Sequence, residues 1–582
     1  MIKVLVGQVK QYKACTIKGA LYTVLEVFME LLIPLTAASI IDKGVSQNNL
    51  GNIMLYGLLM ICMASLSLTF GILAGRTAAT ASTGYAANLR NAMYENIQTY
   101  SFSNIDKFST AGLITRLTTD VTNVQNSYQM IMRMCLRAPV SLICALLLSF
   151  MINPQIASIF LVGMLFLGVI FAFIIKYAMR YFNEVFRKYD DLNASVQENV
   201  SAIRVVKAFV REDYEKKKFD KAATNVYKLF IRAEKIVTLN SPALMFTMYG
   251  CMIALSWFSA QYIVIGTMTT GNLTSFYSYC MTIMMSLMML SMVFVMMSMS
   301  IASAKRIAEV LQEQAEIVNP QNPIMEVKDG SIVFRDVEFS YYKDSERSVL
   351  ENINISIQAG QTIGVLGGTG SGKTSFINLI SRLYDVGSGE VIVGGHNVKE
   401  YDVEVLRNQV AVVLQKNELF TGTILENLRW GDEHASEEAC IRACELACAS
   451  DFIERMPDGY HTFIEQGGSN VSGGQKQRLC IARAILKQPK VLILDDSTSA
   501  VDTTTDSKIR KAFREELPDM TKLIISQRVS SIEDADKIIV LDDGKVNAFD
   551  THENLLEQNE IYRSVYESQT QGSGDFDEKG GE

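Results

Sequence analysis

The sequence predicts two halves of different class: an all-α, six-helix transmembrane domain, then an α/β domain built around a phosphate-binding loop. Three observations carry this. Six apolar runs long enough to cross a bilayer fill residues 16–300, composition changes sharply after Ile317, and a Gly-rich loop joins an apolar strand to a helix at 367–374. At 582 residues the chain is too long for one compact core and long enough for two large domains. Hydrophobic residues make up 49% and charged residues 20%, the mixture expected of a membrane half joined to a soluble half. A net charge of −8 gives no sign of a nucleic-acid surface. The ten cysteines contain no C-x-x-C pair, so they read as reduced packing residues rather than a disulfide frame or metal site.

Apolar runs near 16–41, 52–80, 129–151, 155–178, 241–266 and 274–300 each meet the roughly 20-residue length of a membrane span. The short connectors between them carry one basic residue, Lys43, whereas the long connectors at 81–128 and 179–240 are rich in Lys and Arg. Lys3, Lys10 and Lys13 precede the first span. The positive-inside bias therefore places both long connectors and both termini on the cytoplasmic side of a multi-pass protein of the cytoplasmic membrane. The long connectors keep a proline-free helical pattern, so the membrane helices are expected to continue well past the lipid. The first apolar run is long and lacks a small-residue cleavage site, which argues against a removed signal peptide.

Within the spans, Glu26 and Glu30 lie one turn apart and share a helix face. Such a pair marks either a cation or substrate path or an ion pair, for which Lys18, Arg133 and Arg137 are the candidates. The sixth span holds Met281, Met284, Met285, Met288, Met289, Met292, Met296, Met297 and Met299. Methionine suits an adaptable cavity wall, but packing between helices is the role expected for most of them. Tyr277, Tyr279 and Trp257 are further candidates for a cavity wall.

In the soluble half, Val365 and Leu366 end an apolar strand, and Gly367, Gly368, Thr369, Gly370, Ser371, Gly372, Lys373 and Thr374 follow before a helix. This satisfies G-x-x-x-x-G-K-T in the strand–loop–helix context of a phosphate loop. The glycines let backbone N–H groups approach phosphate oxygens, and the helix presents its positive end. Lys373 is expected to reach the β- and γ-phosphates and Thr374 to ligate Mg²⁺ through its hydroxyl, with Ser375 counted among the nucleotide-binding residues. A second apolar strand, Val491–Leu494, ends in Asp495, whose carboxylate is placed to hold Mg²⁺. Between the two, Ser472, Gly473, Gly474 and Gln475 open another predicted helix.

A phosphate loop, an S-G-G-Q signature and a Walker B strand in this order resemble the nucleotide-binding domain of ABC transporters, an α/β P-loop NTPase fold with an α-helical signature subdomain. With six spans upstream and long cytoplasmic connectors, nearly the whole chain resembles the bacterial ABC exporters. On that resemblance it divides into a transmembrane domain at 1–310, a linker at 311–330, a nucleotide-binding domain at 331–568 and a polar tail at 569–582 expected to be disordered. The resemblance implies that two such domains sandwich two ATP molecules with Mg²⁺, each between one chain's phosphate loop and the other's signature. Ser472, Gly473, Gly474 and Gln475 would then serve the ATP held by the partner chain. It also implies that Tyr341 stacks on adenine and that Gln415 links Mg²⁺ and the attacking water to the membrane domain. Ser499, Ala500, Val501 and Asp502 resemble a D-loop. Phe102–Asp120 and Ser195–Glu215 resemble the cytoplasmic coupling segments, Ala202–Phe209 being the clearer one.

Two positions depart from the family's pattern. Asp496 stands where most such exporters carry Glu to polarise the attacking water, and aspartate is about 1.5 Å shorter in reach. Gln527 stands at the switch position, usually His; an amide donates a hydrogen bond but carries no ionisable proton. An intact phosphate loop beside two weakened catalytic positions implies a site that binds ATP and hydrolyses it poorly, as in the degenerate-site subunit of heterodimeric multidrug-type exporters. The expected function is ATP-driven export of amphipathic small molecules, lipids or peptides by alternating access, with a second half-transporter as partner. A homodimeric exporter and an ATP-gated or regulatory ABC protein that does not pump stay open as alternatives.

Overall fold

The computed structural model describes residues 1–341, 347–496 and 501–570. They form two compact units: Met1–Gln98 with Thr110–Glu313, and Thr99–Ser109 with the chain from Gln314 onward.

Among the described residues of the first unit, six helices are long and apolar enough to cross a membrane: Lys10–Val45, Leu50–Gln98, Thr110–Ile152, Pro154–Ser201, Glu212–Val264 and Thr270–Val293. Each outruns the lipid. Leu50–Gln98 has 49 residues, about 74 Å at 1.5 Å per residue, against roughly 30 Å of hydrocarbon. The proline-free connectors therefore continue the spans as helix. The fourth helix starts where Asn153 accepts from the N–H groups of Gln155 and Ile156 and Pro154 fills the first turn, a cap that uses up orphan donors. Val27, Leu31, Phe160, Phe276, Tyr279 and Met284 are buried together at the bundle's centre. Leu58, Leu68, Val162, Leu165 and Val169 face outward, as lipid-facing residues do.

The carboxylate pair of the first span is an ion pair. Arg137 donates to Glu26 Oε1 at 2.5 Å and to Glu30 Oε2 at 2.6 Å. Gly71 makes room for it, since a Cβ there would stand 3.1 Å from Glu26 Oε1. Tyr279 is a helix pin rather than a cavity wall: it is buried and donates to the Leu31 carbonyl at 2.9 Å. Tyr277 shares a hydrogen bond with Ser256, and Trp257 is exposed. Of the sixth-span methionines, Met284 packs in the core while Met281, Met285, Met292, Met296 and Met297 are exposed. The side chain of Met299 lies outside the described residues.

The second unit is layered on a six-stranded sheet in the order Lys545–Asp550, Lys537–Asp542, Thr362–Gly367, Thr521–Ile525, Val491–Asp495, Val410–Val413. All neighbours are parallel except the first pair. Side chains alternate across the sheet. Leu492, Leu494 and Ile524 join one core with the helices Glu437–Leu446 and Gly473–Leu486, the helical signature subdomain. Val491, Ile493, Leu523 and Ile525 join the other, beneath a four-stranded sheet that includes Ile332–Phe339 and Leu350–Ile357. The register sets Val365 beside Ile525 and Ile525 beside Asp495, so three strands end at one edge of the sheet. Ligands in such folds bind beyond that carboxyl edge.

The last described helix, Glu560–Thr570, includes Gln569. That residue is therefore part of the folded domain, not of a disordered tail; 571–582 lie outside the described residues.

Candidate functional site

The phosphate loop leaves the end of strand Thr362–Gly367 and closes at helix Lys373–Ile380. Gly370 and Gly372 sit at φ 83° and 93°, left-handed conformations that a side chain would strain. At Gly367 a Cβ would stand 2.5 Å from both the Leu541 carbonyl and Ser371 Oγ, so the turn requires glycine. Lys373 Nζ arches over the loop and donates to the carbonyls of Gly367 and Gly368, each at 2.7 Å. Ser371 Oγ is buried with no hydrogen-bond partner among the described residues, which marks it as a group built for a ligand oxygen. Open glycine amides, a helix N-terminus, a lysine and this hydroxyl fit a nucleoside triphosphate.

The metal position forms where two elements meet. Thr374 Oγ1 donates to Asp495 Oδ2 at 3.1 Å, bringing together the two side chains expected to hold Mg²⁺. Asp495 is buried, and burial pushes its carboxyl above the ordinary carboxylate range, Thr374 partly opposing. A divalent cation would complete such a desolvated oxygen pair. Gln415, expected as the third member, lies exposed just beyond strand Val410–Val413. Among the described residues no hydrogen bond joins its side chain to Thr374 or Asp495; its carbonyl accepts from Asn417.

Asp496 and Gln527 both lie at this edge. Asp496 has φ 48°, and its N–H donates to the Ile525 carbonyl at 3.1 Å, tying the Walker B end to the switch strand. Gln527 follows that strand and is half-buried. Tyr341 is partly exposed; its hydroxyl shares a 2.8 Å hydrogen bond with Ser375 Oγ, and its ring stands edge-on to Phe339 and Tyr384. The aromatic and the phosphate-loop helix are thus joined directly.

The signature opens helix Gly473–Leu486 as a capping box: Ser472 Oγ accepts from the Gln475 N–H, and Gln475 Oε1 accepts from the Ser472 N–H at 2.9 Å. Gln475 thus uses its side chain on the cap, which S-x-x-Q spacing already encodes. Ser472 and Gly473 stay exposed at the helix N-terminus, the arrangement that binds anions. Asp502 caps the next helix by accepting from Thr505 N, while Ser499 and Ala500 lie outside the described residues.

One of the segments expected to couple the domains is also described. Helix Phe102–Phe108 belongs to the second unit, where Tyr384 donates to Asp106 at 2.6 Å and packs edge-on against Phe102. Tyr384 thus touches both Tyr341 and this helix, a link that sequence spacing does not reveal.

The chain matches the ABC transporter transmembrane region over residues 16–287 and the ABC transporter family over 350–499. An uncharacterised ABC transporter ATP-binding protein of Bacillus subtilis, YfiB, is 35% identical over 94% of each chain. Another, Rv1273c of Mycobacterium tuberculosis, is 32% identical over 98% of each. The ATP-dependent lipid A-core flippase of Syntrophus aciditrophicus is 31% identical over 83% of this chain and 80% of its own. A solved bacterial Atm1-family ABC exporter with ATP bound shares the fold, with a TM-score of 0.83 at 22% identity, over 96% of this chain and 99% of that one. Phosphate loop, signature, Walker B strand, membrane spans and full-length relatives agree: this chain belongs to the ABC transporters, as a half-transporter that fuses the transmembrane region to the ATP-binding domain.

Proposed function

We propose that this chain is one half of an ATP-driven exporter of amphipathic molecules in the cytoplasmic membrane, paired with a different half-transporter, and that its own ATP site hydrolyses slowly. The observation that carries the reading is a contrast at one edge of the sheet. Thr374 and Asp495 meet at 3.1 Å, as an oxygen pair for Mg²⁺ requires, while the positions that would act on water and γ-phosphate hold Asp496 and Gln527. Asp496 carries its short carboxylate on a left-handed backbone, φ 48°, a conformation enriched for Asp. A general base is worth about a hundredfold or more in rate, so weakening it leaves a site suited to holding nucleotide. The intact signature at Ser472 would serve the ATP bound by the partner.

Export is supported by the likeness to the Atm1-family exporter fold. A cavity of about 490 Å³ in the first unit has Thr23, Asn126, Gln129, Arg133 and the Glu26–Arg137 pair on its walls beside Met130, Met134 and Met289. Mixed polar and thioether walls suit an amphipathic cargo, and the relative named as a lipid A-core flippase supports a lipidic one. Coupling has two supports. Segment Ile203–Ala208 exposes Ile203 and Val205, with Phe209 just beyond, and the ATP-binding unit carries a groove of about 440 Å³ floored by the stacked Phe420 and Trp430. The coupling segment of a partner chain would fill such a groove.

The test is ATP hydrolysis by the purified chain in lipid, alone and with its cognate half-transporter. Alone it is expected to be slower by about a hundredfold, and Asp496→Glu with Gln527→His is expected to raise its rate. Robust hydrolysis by the lone chain, abolished by Asp496→Asn, overturns the degenerate site. ATP-dependent dye accumulation in inverted vesicles separates pumping from gating.

A further inference from the structure

The last described helix reaches back to the switch. Its residues Tyr562 and Val565 are buried, and the Tyr562 hydroxyl shares a 2.6 Å hydrogen bond with His552 Nδ1, so the helix is docked on the domain core. At its end the Gln569 amide bridges the switch backbone: Oε1 accepts from the Val529 N–H at 2.8 Å, and Nε2 donates to the Gln527 carbonyl at 2.8 Å. Acceptor and donor on one planar group match a carbonyl and an N–H two residues apart, as a neighbouring strand would. Within the loop the Arg528 N–H donates to Ser526 Oγ at 2.9 Å, and the Ser526 N–H donates to the Val365 carbonyl of the phosphate-loop strand at 3.2 Å. A side chain on the C-terminal helix thus holds the peptide that follows Gln527 at both its carbonyl and the N–H two residues on.

We propose that Gln569 is a positioning residue for the switch, holding the Gln527 peptide so that the Gln527 side chain faces the γ-phosphate of ATP on this chain's phosphate loop. The proposal rests on Gln527 being the switch residue. A carboxylate cannot donate to the Gln527 carbonyl, so Gln569→Glu breaks one arm of the bridge while keeping the size of the side chain.

The test uses the full chain assembled with its partner, a fluorescent ATP analogue with Mg²⁺ as probe, and the release rate of that probe from this chain's site as readout. Gln569→Glu and Gln569→Ala are expected to speed release about three- to tenfold, the worth of one or two hydrogen bonds. Neither is expected to speed it further in a Gln527→Ala background, because the bridge acts through that residue. The thermal midpoint is measured alongside. If the Gln569 variants speed release equally with and without the Gln527 side chain, or leave it unchanged while Gln527→Ala speeds it, the positioning role is wrong. If Gln527→Ala alone leaves release unchanged, the switch assignment itself fails, and the positioning role fails with it.

Discussion

Arg137 shows how one residue decides the meaning of others. Glu26 and Glu30 read as a face of negative charge in the first span, and position alone leaves their role open between cargo path and ion pair. The guanidinium joins both carboxylates, at 2.5 and 2.6 Å, and turns an acidic pair into a three-residue link between two helices. Removing the arginine leaves carboxylates partly buried without a partner, which costs more than the link itself contributes. Arg137→Met is expected to lower stability in detergent by about 2 kcal/mol, and adding Glu26→Gln to recover part of it; thermal midpoints of the three proteins check this. Arg133, one turn away, lines the same cavity as Glu26 and Arg137. The phosphate-loop residues were legible one by one because phosphate chemistry demands particular side chains at particular spacings. The contact of Gln569 was not, because its partner lies some forty residues back along the chain.

At the level of elements, the strand Thr521–Ile525 illustrates what a central position imposes. All five of its residues are buried, Lys522 among them. Burial pulls the Lys522 ammonium below its ordinary value, with Asp536 and Asp519 partly offsetting. The sign follows: in the pH range between the folded value and the ordinary 10.5, the unfolded chain binds more protons, so stability rises with pH there. Below the folded value the cost of the buried charge is fully present. Lys522→Met is expected to raise the thermal midpoint by about 3 °C at pH 7, with the gain shrinking as pH approaches 10; scanning calorimetry across that range checks it. Element ends carry local signals in the sequence. Asn153 before Pro154, and Ser472 three residues before Gln475, are caps that satisfy orphan backbone donors wherever they occur. Strand neighbours were not readable, since Thr362–Gly367 lies between Thr521–Ile525 and Lys537–Asp542, both far later in the chain.

For the whole molecule, the question is which chemistry each chain lends to the other. In the proposed assembly Ser472 works on nucleotide held by the partner, so its substitution would be felt at a site this chain does not otherwise build. Alanine there also removes the helix cap, about 1 kcal/mol, which confuses the reading. Aspartate caps as well as serine, yet sets a negative charge against phosphate. Ser472→Asp is therefore expected to leave the thermal midpoint unchanged and to cut nucleotide-driven transport by about tenfold or more; vesicle uptake and a melting curve together check it. Transport that survives Ser472→Asp would remove the signature from the mechanism.

By itself the sequence determined the two-part architecture, the six spans, the phosphate loop, the Walker B carboxylate and the helix that the signature opens. Each of these depends on local chemistry: hydrocarbon needs an unbroken apolar length, and phosphate needs glycine amides followed by Lys and Thr. Tertiary structure alone decided that Arg137 gathers Glu26 and Glu30, that Tyr384 touches both Tyr341 and helix Phe102–Phe108, and that the Gln569 amide bridges Gln527 and Val529. Those pairings are set by the order of strands and the packing of helices, which bring together residues whose separation along the chain carries no periodic signal.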